Sequence, residues 1–199
     1  MIDPHDAHAV QDWRKLERER LISARLALAP DYRAAQAQAI ARELDARIPA
    51  HAGPIVSAYW PIRGEPDLRP WMHAAAARGL RIALPVAVAL RQPLQFRAWR
   101  PGAAMARGLW NIPHPAEMAV VVPDMILAPL VGYDRAGYRL GYGGGFFDRT
   151  LAQFAPRPVT IGIGYPEAAI ESIYPQPFDI PMSGIVTGSR AGASGPPGA

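Results

Sequence analysis

Apolar and polar positions fall into blocks along the chain, and the blocks predict helices alternating with strands. Residues 11–29 hold strong helix formers with no Gly or Pro, and Pro30 ends them, so a first helix is expected there. Asp31 is placed to cap a second helix running to about Arg47, with Ala37, Ile40, Leu44 and Ile48 at helical spacing. A breaker cluster, 49–54, follows. Residues 55–60 read as a buried strand, closed by the turn-rich 61–66. Asp67 opens a third helix, with Pro70 in its first turn and Gly79 as its C′ residue. Residues 80–88 are apolar and Val-rich, a strand, and 95–99 form a shorter one. The Pro- and Gly-rich stretch 105–117 is expected as a loop. A further apolar strand at 124–130 runs into 132–145, then a helix at 146–154, a strand at 159–165 and Pro-rich loops.

Strands alternating with helices predict an α/β fold: three layers, with a mainly parallel sheet flanked by helices on both faces. Such sheets bind ligands at the carboxyl ends of their strands. A length of 199 residues, half of them apolar, suits one domain, taken as 1–187. The tail 188–199, GSRAGASGPPGA, has the composition of a disordered segment. No apolar run reaches the roughly 18–20 residues of a membrane span. The two best, 80–90 and 118–130, are broken by Arg81 and Pro85, and by Pro123, Asp124 and Pro129. The opening MIDPHDAHAV is acidic and lacks a basic region followed by an apolar block, so no signal peptide is expected. A cytoplasmic monomer without membrane partners is the expectation.

Composition removes several chemistries. Cysteine is absent, which excludes disulfides, Cys-ligated metals and a cysteine nucleophile. Lys15 is the single lysine among 21 cations, and it lies far from every glycine, so a Walker-A loop is excluded. The formal charge of +4 comes without a nucleic-acid-binding motif, so no nucleic-acid partner is expected. The serines lack a G-x-S-x-G context, and histidines 5, 8, 51, 73 and 114 show no metal-ligand spacing.

Three places carry candidate chemistry. In Arg139-Leu140-Gly141-Tyr142-Gly143-Gly144-Gly145-Phe146-Phe147-Asp148-Arg149, four glycines fall within five residues between a strand and a helix. Glycines let an anion approach backbone N–H groups, and a helix start adds positive potential. Arg139 and Arg149 flank this cradle, and Asp148 can cap the helix or hold a metal. The plainer alternative is a flexible connector. On the first helix, Arg14, Arg18 and Arg25 share one face, either a solvated basic stripe or a phosphate clamp reaching to the glycine loop. Just past a strand end, Trp60 offers a flat wall and Glu65 a hydrogen-bond acceptor for an amino-heterocycle; a core Trp and a surface Glu are the alternative. Trp110, in a loop, has the same ambiguity.

The stretch from Leu130 to Arg149, with Gly132-Tyr133-Asp134, Gly137, Arg139-Leu140-Gly141, Gly143, Gly145-Phe146-Phe147-Asp148, resembles the signature of the 5-formyltetrahydrofolate cyclo-ligase family, also called methenyltetrahydrofolate synthetases. The likeness extends from about Arg14 to Thr187. Arg14 and Arg18 keep the spacing of the family's Lys-x-x-x-Arg pair, Trp60 and Glu65 its strand-end pair, Trp110-Asn111-Ile112-Pro113 its loop, and Asp179 its late acid. The chain departs where Arg14 replaces lysine, Phe146 and Phe147 replace tyrosines, and Ser183 replaces a second acid.

The resemblance implies cyclisation of 5-formyltetrahydrofolate, a reduced folate, to 5,10-methenyltetrahydrofolate, with ATP and Mg²⁺ required and ADP and phosphate released. It implies catalytic roles for Arg139 and Arg18. Nucleotide contacts would come from Arg14, Lys15, Arg18, Arg139, Leu140, Gly141, Tyr142, Gly143, Gly144, Gly145, Phe146 and Phe147. The folate would lie against Trp60, Glu65, Trp110, Tyr142 and Phe146, and the metal at Asp148 and Asp179. A weakly catalytic folate- or nucleotide-binding regulator, a paralogue acting on another amide and a basic RNA-binding module stay open as alternatives.

Overall fold

The computed structural model describes residues 3–48 and 53–188. Most of the breaker cluster, and all of the tail but Gly188, lie outside the described residues.

Helix α1 (Ala7–Ala27) begins where the Asp6 carboxylate accepts from the backbone N–H of His8 and Ala9 at 3.0 Å each. α2 (Pro30–Arg47) follows after two residues. The expected Asp31 cap is corrected: Ala29 is the N-cap and Pro30 opens the helix. Proline's fixed φ suits the first turn, and its missing N–H would be unpaired there in any case. Asp31 instead sits inside that turn, where its charge suits the helix dipole. Strand β1 (Ile55–Ser57) is shorter than expected, because beyond Ala58 the chain leaves the sheet toward Trp60. α3 (Arg69–Ala77) starts two residues after Asp67, whose side chain accepts from Arg69 N–H at 3.0 Å. Gly79, at φ 94°, ends it as predicted.

β2 (Arg81–Val86) and β3 (Gln95–Trp99) pair antiparallel. The expected loop 105–117 is corrected. It forms a hairpin, β4 (Met105–Arg107) and β5 (Pro113–Pro115), around a 3₁₀ turn at Leu109–Asn111. Proline is tolerated in β5 because Pro113 and Pro115 occupy positions whose N–H the ladder does not use. Its bonds run instead through Gly108 N–H to Ile112 and Ala116 N–H to Ala104. β6 (Met125–Pro129) leads into a short ladder of β7 (Gly132–Tyr133) with β8 (Arg139–Leu140), then α4 (Phe146–Leu151), β9 (Val159–Ile163) and β10 (Gly184–Val186). β10 falls in a stretch expected as loop; three residues between Gly and Pro punctuation carry too little pattern to be read.

The sheet order is β10-β9-β6-β1-β2-β3, parallel except for the β2–β3 pair. Alternate residues face opposite layers. Val56, Ile82, Leu84, Leu127 and Ile161 pack against α2 and α3 through Ile40, Leu44, Trp71 and Met72. Ala83, Ile126 and Ala128 pack on the other face, against Leu151 of α4. Each fully buried Leu or Ile contributes about 1.5–3 kcal/mol. α1 lies across the carboxyl end of the sheet, with Leu21 and Ile22 packed on Val131, Leu140 and Ile173. The expected α/β fold, a mainly parallel sheet between helical layers, is the one observed. Among the described residues no helix is long and apolar enough to cross a membrane.

Candidate active site

A cavity of about 590 Å³ opens at the carboxyl ends of β1, β2 and β6. The chain after β6 turns back through the β7–β8 ladder, and the buried Asp134 holds that turn. Its carboxylate accepts from the N–H groups of Ala136, Tyr138 and Ile173 at 3.0–3.1 Å. This aims the glycine loop across the cavity mouth. Gly141 and Gly143 are needed there for different reasons. A Cβ on Gly141 would stand 2.5 Å from an Arg139 nitrogen, and Gly143 holds φ 93° with Arg18 packed over it.

The basic face of α1 packs onto this loop, which overturns the solvated-stripe alternative. Arg14 donates to the carbonyls of Ile173 and Tyr174 and to both oxygens of Asp179. Arg18 donates through Nε to the Gly141 carbonyl at 2.7 Å. Arg25 reaches the carbonyls of Arg63 and Leu130 and the hydroxyl of Tyr142. Burial, then repulsion from Arg14, pushes the Arg18 pKa down. Burial does the same to Arg139, opposed by Asp148 and Asp179. Arginine stays protonated in proteins, so the site holds a dense positive field. Arg139, 7% exposed, gives one nitrogen to Asp148 at 3.1 Å and lies 4.9 Å over the Phe147 ring, while its Nε is buried without a partner.

The opposite wall is apolar with one acid. Trp60 has Arg69 stacked over its ring at 5.5 Å. Trp110, 61% exposed at the hairpin tip, meets Phe146 edge-on at 5.4 Å. Glu65 is buried and accepts from Ile62 N–H at 2.9 Å and from the Tyr142 hydroxyl at 2.9 Å. Burial pushes its carboxyl up to about 7, against the pull of Ile62 N–H, the Arg25 charge and Tyr142. Tyr142 is itself pushed upward by burial and by the Glu65 charge.

Arg25 and Arg149 lie off the cavity lining, Arg25 on the Tyr142 hydroxyl and Arg149 on the Gly144 carbonyl at 3.4 Å. The expected nucleotide, folate and metal contacts meet in one cavity, with one exception. Lys15 is exposed on α1 and does not line the cavity; it follows Arg14 by one residue, about 100° around the helix. Its expected nucleotide contact is corrected. The two expected metal acids are each engaged by an arginine, and among the described residues no cluster of three or more acids or histidines could hold a metal ion. Asp148 lines the cavity with Arg139 on one oxygen and Ile180 N–H on the other at 3.3 Å. A single carboxylate beside polyphosphate oxygens suits Mg²⁺, which keeps several waters. Asp179 has both oxygens on Arg14 and also accepts from Gln176 N–H at 2.7 Å. Ser183 Oγ accepts from Thr160 N–H at 3.1 Å, a structural bond between β9 and the approach to β10.

Sequence reasoning missed Arg63, His114 and Phe178, all on the cavity wall. Arg63 and His114 adjoin segments already singled out, and their neighbours were the available signal. α4 is six residues long rather than the expected nine, so the loop amides and arginines, not a long helix dipole, dominate the local field.

Residues 10–188 match the model of the 5-formyltetrahydrofolate cyclo-ligase family. A 5-formyltetrahydrofolate cyclo-ligase of Mycolicibacterium smegmatis is 34% identical over 147 residues, covering 70% of this chain and 76% of that protein. One from Escherichia coli K12 is 28% identical, covering 83% and 95%. Among solved structures, a 5,10-methenyltetrahydrofolate synthetase from Mycoplasma pneumoniae superposes with TM-score 0.71 at 22% identity, covering 87% of this chain and 97% of that one. One from Aquifex aeolicus gives 0.73 at 24% identity, covering 87% and 89%. These two support the fold.

Proposed function

The chain belongs to the 5-formyltetrahydrofolate cyclo-ligase family and is an enzyme of it, and from that premise we propose that it closes 5-formyltetrahydrofolate to 5,10-methenyltetrahydrofolate with cleavage of ATP to ADP and phosphate. One observation carries the reading: a single cavity is lined both by the arginine-backed glycine loop and by the Trp60–Glu65–Tyr142 wall. A phosphoryl donor and a pterin can meet there without either leaving its wall.

The chemistry sets the demands. A formamide oxygen is a poor leaving group. Its attack on the γ-phosphorus expels ADP and gives an imino-phosphate. The N10 nitrogen then attacks the formyl carbon and loses its proton, and phosphate departs as the five-membered ring closes. The transferring phosphoryl spreads negative charge over its oxygens, so it needs cations already in place. Arg18 and Arg139 supply them, and the unpartnered Nε of Arg139 suits a phosphate oxygen. Arg14, bonded to Asp179 and to the Ile173 and Tyr174 carbonyls, holds α1 against the 173–179 segment. Backbone of Gly141, Gly143, Gly144 and Gly145 lets the polyphosphate approach closely. Trp60 stacks on the pterin and Glu65 accepts from its amino group, with Trp110 and Phe146 beside the rest of the folate. Asp148 would hold Mg²⁺, which supplies charge neutralisation on the phosphates. Positioning is the main contribution, because N10 is already a neutral nucleophile. The reading includes a monomer working in the cytoplasm, without nucleic-acid or membrane partners.

The test is direct. Purified protein with 5-formyltetrahydrofolate and MgATP should build up the near-ultraviolet absorbance of the methenyl product, with one ADP per ring closed. Binding of both compounds without turnover would make the chain a regulator and defeat the proposal.

A further inference from the structure

The glycine loop and the acid wall are not independent parts. Tyr142 stands between Gly141 and Gly143, so it is the one long side chain at the point where the loop bends most freely. Its backbone neighbours are gripped from the α1 side: Arg18 holds the Gly141 carbonyl at 2.7 Å and packs over Gly143. Its hydroxyl bridges Arg25, further along α1, to the acid after β1. It accepts from Arg25 at 2.6 Å and donates to Glu65 at 2.9 Å. The guanidinium groups of Arg25 and Arg63 lie 5.7 and 5.8 Å from its ring centre. The loop that would carry polyphosphate is thus tied, through one phenol, to the acid that would receive the pterin.

We propose that Tyr142 is a positioning residue that couples the two substrates, so that nucleotide on the glycine loop tightens folate at Glu65 and folate tightens nucleotide. This rests on the cyclo-ligase reading of the site. The physical argument is one of ordering. Polyphosphate competes with the Gly141 carbonyl for Arg18, and it fixes the loop backbone through its own contacts. A fixed loop fixes the phenol, and with Ile62 N–H already on its other oxygen, Glu65 then has both oxygens oriented and its remaining acceptor directions set. Folate arriving second then pays less of the ordering entropy. Linkage requires the effect to be equal in both directions.

The experiment titrates 5-formyltetrahydrofolate into the protein with and without saturating MgADP, which permits no turnover, and titrates MgADP with and without 5-formyltetrahydrofolate. In the unaltered protein each ligand should tighten the other by the same factor, roughly tenfold, within the usual range of coupling between sites. Tyr142→Phe keeps the ring and its stacked arginines but removes the hydroxyl. It should bring the factor to about one in both directions while folate alone still binds. Glu65→Ala, which removes the acceptor, should lose the same coupling at a weaker folate affinity, and the double variant should lose no further coupling, since both act through one hydrogen bond. An unchanged factor in Tyr142→Phe overturns the inference, as does a factor of one in the unaltered protein. Loss of folate binding by Tyr142→Phe without nucleotide would make Tyr142 an ordinary contact and overturn it too. Failure of the unaltered protein to bind folate at all defeats the cyclo-ligase reading instead, so the two failures are distinguishable.

Discussion

The phenol of Tyr142 donates to the carboxylate of Glu65 at 2.9 Å, across 77 residues of sequence. The bond joins the glycine loop to the segment after β1 and keeps a buried acid partly satisfied. Burial of that acid makes the site sensitive to pH.

Burial raises the Glu65 pKa to about 7 from an ordinary 4.5. The folded protein therefore holds this proton where the unfolded chain has released it. The stabilisation is fully present below the unfolded value and is lost as pH rises through the folded one. Between pH 5 and 8 the unaltered protein should lose on the order of 3 kcal/mol from this group. Glu65→Gln should lack that part of the pH dependence. Denaturant unfolding of both proteins at the two pH values checks this; parallel curves would remove Glu65 as the cause.

Ligand binding should run the opposite way. A pterin amino group needs the ionised acceptor, so folate affinity should rise as pH increases through about 7. In Glu65→Gln it should be weaker and flat. Calorimetric titration at several pH values reads it directly.

Asp148 and Asp179 should separate into different roles. Asp148→Asn should raise the Mg²⁺ concentration needed for half-maximal rate, read from a metal titration of turnover. Asp179→Ala leaves Arg14 buried without its counter-charge, and losing one partner of such a pair costs about 3–5 kcal/mol. Its Tm should fall by roughly 10 °C, read by thermal melting, with little change in the Mg²⁺ requirement of the folded fraction.

Gly143→Ala places a side chain at φ 93° and a Cβ 3.3 Å from the Arg18 guanidinium carbon. The strain should cost about 1–2 kcal/mol. The KM for ATP should rise more than the KM for folate, in steady-state kinetics with each varied in turn.

Arg139→Ala should impair use of ATP far more than binding of folate, since the lost guanidinium lines the cavity beside the glycine loop and pairs with Asp148. Lys15→Ala should leave both constants within about twofold, because an exposed residue off the cavity lining shifts little. A large effect from Lys15 would mean that α1 sits differently on the loop.

Much of the site was legible before folding. The glycine run with Arg139, Trp60 with Glu65, and Arg14 with Arg18 all line the cavity, and Arg25 bonds Tyr142 behind it, while Arg149 lies off the lining. Local chemistry is readable because residues within one turn or loop act together whatever surrounds them. The hairpin at 105–115 was not legible, because its prolines resemble loop punctuation until the ladder shows which N–H groups it leaves unused. Asp179 carries no local mark of being Arg14's partner, which lies 165 residues away.

By itself, the order of apolar blocks determined a parallel sheet between helices, because period and punctuation are local and survive any packing. Only the tertiary structure decided that Arg14 would be an anchor, that Arg25 would hold a phenol, and that Glu65 would be buried enough to keep its proton near neutrality. Those outcomes depend on which groups share a dry space, and distance across the fold, not distance along the chain, sets the strength of charge and hydrogen bonding.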